Sequence, residues 1–189
     1  MQSIDVYIDF KSAAAYLCLG PTMALAREYP VAIHWRPFIT RQRTLPAAAP
    51  DETRGESHVR VREQARRATH QRYAEIQGLT LIFRDPPAPT DAALAALLAP
   101  LGNPAAYLQQ AFDAYWSRGA NLDDPEVVTS LLSASGNLSV DSRDYTDALA
   151  DAQQQAVDSG IIDTPTYALD GELFIGREHL PWIRSALAS

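Results

Sequence analysis

Sulfur is scarce in this chain: its 189 residues include a single cysteine, Cys18. One thiol cannot close an internal disulfide, and thiol–disulfide exchange needs an attacking and a resolving cysteine. The N-terminus carries Asp5 and Asp9 and no cationic stretch, so no secretory signal is expected, and the compartment implied is the cytoplasm. No apolar run approaches the ~20 residues needed to cross a bilayer, so no membrane span is expected. A net charge of −7 argues against general nucleic-acid binding. The four histidines have no metal-ligand spacing and Cys18 stands alone, so no metal site is expected. There is no Gly-rich phosphate loop and no Gly-x-Ser-x-Gly elbow. Lysine is nearly absent too: Lys11 is the one lysine beside 15 arginines, a skew read as coding bias and given no functional weight.

What is present reads as one α/β domain, or one domain carrying an insertion, long enough to bury roughly 70% of its unfolded surface. Ile4, Val6, Ile8 and Phe10 alternate as one face of a strand over 4–10. A helix follows from about Ala13 to Glu28, with Pro21 removing its bond to the carbonyl of Leu17. Val31 to Pro37 alternates again, and a right-handed crossover makes the two strands parallel neighbours. The Pro/Ala/Arg-rich stretch from Thr40 to Asp51 reads as a linker. Helical segments come next: an Arg-rich one over His58 to Gln77, one capped by Thr90 and carrying Leu94, Leu97, Leu98 and Leu101, and one begun by Pro104 with Leu108, Phe112 and Trp116. Asp124-Pro125 opens another that Gly136 closes, and the last runs from Ser142 to Ser159. Thr164-Pro165 then precedes a short apolar strand, an Asp170-Gly171 turn and a second strand, because a proline lacking N–H suits only a turn, an edge or a strand start. Pro181 sits in the first turn of a final helix. This order is that of a thioredoxin-like fold, with residues 1–45 and 161–189 forming the thioredoxin-like part and 46–160 an inserted all-helical subdomain.

Asp9-Phe10-Lys11-Ser12, Trp35-Arg36-Pro37-Phe38, Ala114-Tyr115-Trp116, Asp124-Pro125-Glu126-Val127 and Gly171-Glu172-Leu173-Phe174 through Gly176 occur in order. Together they resemble the DsbA superfamily, in its branch of 2-hydroxychromene-2-carboxylate isomerases and kappa-class glutathione transferases. The resemblance spans nearly the whole chain and implies a DsbA-like fold, glutathione as cosubstrate and a homodimer. Two features depart from the branch. Ala13 and Ala14 replace a Pro-Tyr pair at the helix start, and the branch's Asn and Lys after the second strand have no clear counterpart between Thr40 and Arg54.

Ser12 and Ala15 stand where an exchange enzyme would carry cysteines, which closes off disulfide chemistry. The first turn of a helix still offers free N–H groups and a positive dipole end, which favour an anion. The resemblance implies that this anion is the thiolate of bound glutathione, with Ser12 donating a hydrogen bond to it. It also implies that Thr164 and Pro165 pair with the cysteinyl part, and that Gly176, Arg177 and Glu178 receive the glutamyl end. Ser12 as a plain helix cap and Glu178 as a first-turn acid are the bland alternatives. Ala13, Arg36, Tyr115 and Trp116 are candidates for the substrate pocket, with Arg36 and the Arg-rich helix as clamps for a carboxylate on an aromatic-derived acid. For that helix as a whole, Glu56–Arg60 and Glu63–Arg67 spacing favours a solvated face of i,i+4 pairs. Asp9 reads as a strand-end acid bonded to nearby backbone rather than a proton shuttle. The functional expectation is a glutathione-dependent isomerase or transferase. The alternative is a redox-inactive relative of DsbA-like oxidoreductases that acts as a binding module.

Overall fold

Two parallel strands, β1 (Gln2–Ile8) and β2 (Val31–Pro37), are joined through helix α1 (Ala13–Glu28). The protein is described from a computed structural model that covers residues 2–41, 44, 47–49 and 51–188. The sheet is completed by β3 (Thr166–Leu169), antiparallel to β1, and β4 (Glu172–Ile175), antiparallel to β3, in the order β2-β1-β3-β4. Asp170 and Gly171 both take positive φ in the β3–β4 turn, the backbone that a two-residue hairpin of matching twist requires. This is the expected thioredoxin-like order.

Ile4, Val6, Ile8 and Phe10 are fully buried, as their alternation predicts. The strand nevertheless ends at Ile8 rather than at residue 10, because the Asp9 side chain turns to bond the backbone of Lys11 and Thr40. Helix α1 begins where expected: Ser12 is extended, and its hydroxyl accepts from the Ala15 N–H at 3.2 Å. Pro21 lies inside α1, and the carbonyl of Leu17 that it leaves unpaired accepts instead from the Gln77 side chain at 3.2 Å. Gln77 is the last residue of α2 (Arg54–Gln77), so the defect in one helix becomes the anchor of the next.

Helix α2 starts earlier than expected because Thr53 and Glu56 form a reciprocal capping box. Glu56 is thereby used up, and Arg60 pairs with Glu52 instead of with Glu56. Thr90 does not cap α3 (Asp91–Ala96). Its hydroxyl donates to Asp9 at 2.9 Å, and the helix stops before Leu97. Helices α4 (Pro104–Arg118) and α5 (Pro125–Ala134) follow their Asn103 and Asp124 caps. A 3₁₀ turn over Ser142–Tyr145 leads into α6 (Thr146–Asp158), where the sequence predicts one helix. Helix α7 (Leu180–Leu187) carries Pro181 in its first turn. Of the linker expected over Thr40 to Asp51, residues 42, 43, 45, 46 and 50 lie outside the described residues, and the others carry no helix or strand.

The main apolar core runs through strands and helices alike, and a smaller cluster of Phe38, Ala156 and Ile161 lies apart from it. Phe112 of α4 is fully buried, 5.0 Å from the ring of Phe10 and stacked on Tyr16 of α1 at 5.3 Å. Emptying that site removes contacts on both sides at once. Phe112→Ala is expected to cost about 3–5 kcal/mol, and urea unfolding should still follow a single transition by fluorescence and circular dichroism together.

Candidate functional site

The N-terminus of α1 faces the residue before the β3 proline. The Ser12 hydroxyl donates to the carbonyl of Thr164 at 3.1 Å, across 152 positions of sequence. The Thr164–Pro165 bond is cis, as is Asp85–Pro86. Thr164 N–H donates to Asp163 Oδ1 at 2.8 Å, and the Pro165 carbonyl accepts from Gly176 N–H at 2.8 Å. The start of β3 and the end of β4 are thus locked together beside Ser12.

Around this contact opens a cavity of about 760 Å³. Lys11, Ser12, Ala13 and Ala14 line it at the helix start. The first N–H groups of α1 belong to the set that a helix leaves without an intrahelical carbonyl. Glu63, Arg66, Arg67 and His70 of α2 form a second side, with Phe83, Arg84, Tyr115 and Trp116 beyond them. Phe38 to Arg41, Gln153, Val157 and Ile161 to Pro165 close the third, with Gly176 and Glu178. Gln153 of α6 holds this last side in register: its amide accepts from Ile39 N–H at 2.7 Å and donates to the Ile39 carbonyl at 3.3 Å.

Most of the expected site residues are brought together here. Ser12, Thr164, Pro165, Gly176, Glu178, Ala13, Tyr115 and Trp116 all border the cavity. Tyr115 and Trp116 are also core residues, nearly buried, with their polar handles satisfied by the Ala88 and Phe10 carbonyls. Gly176 has φ of +99°, and a Cβ there would collide with the Glu178 carboxylate, so only glycine lets that acid fold back beside the hairpin. Two expectations fail. Arg36 is not at the cavity: β2 alternation turns it to the exposed face, where its Nε meets Asp5 at 2.8 Å. Arg177 is not there either, because its guanidinium lies over the ring of Tyr73, 3.6 Å from the centroid, tying the β4–α7 junction to α2.

Helix α2 is solvated along most of its length, as expected, and the expected Glu63–Arg67 pair forms, while Arg66 and Arg67 also border the cavity. Both reach Glu63, at 3.0 and 3.4 Å, and Arg67 also forks onto Asp85 with two 2.6 Å bonds. Arg84 donates to the Tyr115 carbonyl at 2.5 Å and covers that ring. Burial, then the charge of Arg66, pushes His70 down to about 4, so it is neutral at physiological pH. Cys18 is fully buried, donates to the Ala15 carbonyl at 3.0 Å, and burial pushes its thiol up to about 11. It offers no nucleophile to the cavity.

Lys11 escaped sequence reasoning as a site residue, although its isolation among arginines was a signal. His70 was weighed with His58 and the α2 arginines as a possible anion surface, and it borders the cavity with Arg66 and Arg67.

A family described as the DSBA-like thioredoxin domain matches residues 3–188. No curated protein matches the sequence. Among solved structures, the fold is similar to that of a 2-hydroxychromene-2-carboxylate isomerase, with TM-score 0.75 and 20% identity over 98% of this chain and 94% of that one. A probable DsbA oxidoreductase from Streptomyces coelicolor gives TM-score 0.73 and 18% identity over 100% and 89%. The cytosolic disulfide reductase DsbM from Pseudomonas aeruginosa, solved with GSH, gives 0.55 and 17% over 99% and 100%. At these identities the likeness is one of fold.

His70 makes stability depend on pH in a definite direction. Its value falls from an ordinary 6.5 to about 4 on folding, so between those values the unfolded chain binds the extra proton. Its contribution is intact above 6.5 and is lost as pH drops toward 4. Wild type should lose about 1–2 kcal/mol more than His70→Gln between pH 7 and 4, a figure reduced for partial solvent screening. Urea midpoints at the two pH values measure it.

Proposed function

Because the chain belongs to the DSBA-like thioredoxin domain family, we propose that it is a glutathione-dependent isomerase or transferase acting on an unsaturated, aromatic-derived carboxylic acid. The observation that carries this reading is the 3.1 Å contact between the Ser12 hydroxyl and the Thr164 carbonyl at the edge of a cavity rich in arginine. The DsbM neighbour solved with GSH supports the cosubstrate, and the isomerase neighbour supports the reaction class.

Bound glutathione supplies the nucleophilic sulfur that the chain lacks, for addition to and elimination from a conjugated double bond. The protein's part is positional. Ser12 has one hydroxyl hydrogen, and turning it from Thr164 toward the sulfur leaves the Thr164 carbonyl free to accept the cysteinyl N–H. The free N–H groups at the start of α1 add a positive dipole end at the same place. Gly176 and Glu178 border the cavity on the hairpin side, where the acid suits the glutamyl ammonium. Arg66, nearly half exposed and bonded only to Glu63 among the described residues, is the carboxylate clamp in place of Arg36. Acid–base groups are not required of the protein; charge stabilisation is.

Calorimetric titration with reduced glutathione should give heat and a thermal shift at millimolar ligand. Neither would be seen from a binding module for some other ligand, and that result would overturn the proposal. Ser12→Ala should raise the pKa of the bound thiol by about one unit, read from ultraviolet thiolate absorbance, because it removes a hydrogen bond to the charged form. Arg66→Ala should raise KM for the acid about tenfold while changing kcat much less, as expected for loss of uniform binding.

A further inference from the structure

Lys11 is the one lysine of a chain that otherwise uses arginine for every cation, and it occupies a costly position. Its side chain is 5% exposed, and its Nζ stands 3.2 Å from Oδ2 of the fully buried Asp9. Taking two charges out of water costs several kcal/mol per ion unless other bonds compensate. Asp9 has those other bonds without the ammonium. Its Oδ1 accepts from Lys11 N–H and the Thr90 hydroxyl, and its Oδ2 from the N–H and hydroxyl of Thr40. Neutral donors thus fill the lone pairs of Asp9, and the ammonium balances its charge through a single contact.

Lys11 borders the cavity in the position next to Ser12. Among the described residues, Asp9 is the one partner of its Nζ, which leaves two of three N–H donors for the cavity side. A lysine head is a compact charge, whereas an arginine fork spreads its charge over a plane suited to carboxylates. Of the neighbouring cations, Arg67 is engaged by Glu63 and Asp85 and Arg84 by Tyr115, while Arg66, held by Glu63, is the group assigned to the acid's carboxylate. His70 is neutral, Asp163 accepts from Thr164, and Arg41 and Glu178 are exposed at the rim.

We infer that Lys11 is the charge-supplying group of the thiol site: its ammonium, held by Asp9, stabilises a thiolate bound beside Ser12. This rests on the reading of glutathione as cosubstrate. The step it assists is a proton loss. The S–H bond breaks, its electron pair stays on sulfur, the proton passes to water in the open cavity, and nothing is oxidised or reduced. Asp9 is then a positioning residue that acts through Lys11.

The test uses the full chain as wild type, Lys11→Gln and Lys11→Arg, each titrated first with reduced glutathione and with S-methylglutathione. The pH dependence of the bound thiolate absorbance is then recorded. An opposite charge within a few ångströms moves a pKa by about 1–3 units, so Lys11→Gln should raise the thiol pKa by at least about one unit, a tenfold loss of thiolate near neutral pH. Lys11→Arg should retain most of the wild-type value, and S-methylglutathione should bind all three alike. An unchanged thiol pKa in a Lys11→Gln protein that binds glutathione overturns the inference and leaves the function standing. Absence of glutathione binding to wild type removes both. Should Lys11→Gln fail to fold, Lys11→Met with Asp9→Asn takes away both charges together and is read by the same absorbance.

Discussion

A carboxylate without solvent exposure holds the surroundings of the cavity together. Asp9 sits at the end of β1 and receives bonds from the loop after β2 through Thr40, from the start of α3 through Thr90, and from its own turn through Lys11. Three stretches far apart in sequence converge on two oxygens. Removing one partner of a buried ion pair typically costs 3–5 kcal/mol, so the convergence is enforced rather than incidental. It sets where Ser12 lies relative to the hairpin and how far the helical segments can stand from the sheet.

The two kinds of structure divide the work. The sheet and α1 supply fixed points: a helix start, a pre-proline carbonyl, a glycine that admits a folded-back acid. The helices between β2 and β3 supply walls, and their arginines are mostly spoken for by neighbouring carboxylates. Such self-paired cations shape a polar surface without presenting many bare charges. Phe112, wedged between Phe10 and Tyr16, makes those walls part of the same core as the strands.

Much of this was legible from residue order. Strand alternation marks Ile4, Val6, Ile8 and Phe10 as buried, Ser12 marks the start of α1, and Pro104, Asp124 and Gly171 mark boundaries that the backbone respects. The errors have local causes. Thr90 and Glu56 carry side chains able to serve two partners, and tertiary contact for one and the capping box for the other decided between them. The alternation of β2 already places Arg36 on the exposed face, where it meets Asp5, whereas the Tyr73 ring beneath Arg177 is a tertiary contact that no spacing rule reveals. Helix α2 is the instructive case. Among its described residues only Glu63 and Ala74 are buried, so no apolar stripe distinguishes the side facing the cavity from the side facing solvent.

Gln77 closes the valence that Pro21 opens, and it does so from the far end of the helix that carries Glu63, Arg66, Arg67 and His70. One wall of the cavity is therefore tethered to an imperfection in the interior of α1. A residue at position 21 with its own N–H would reclaim the Leu17 carbonyl and leave the glutamine without its mooring. Exchanges remote from the cavity would in this way move one of its walls, with the Ser12–Thr164 contact left untouched.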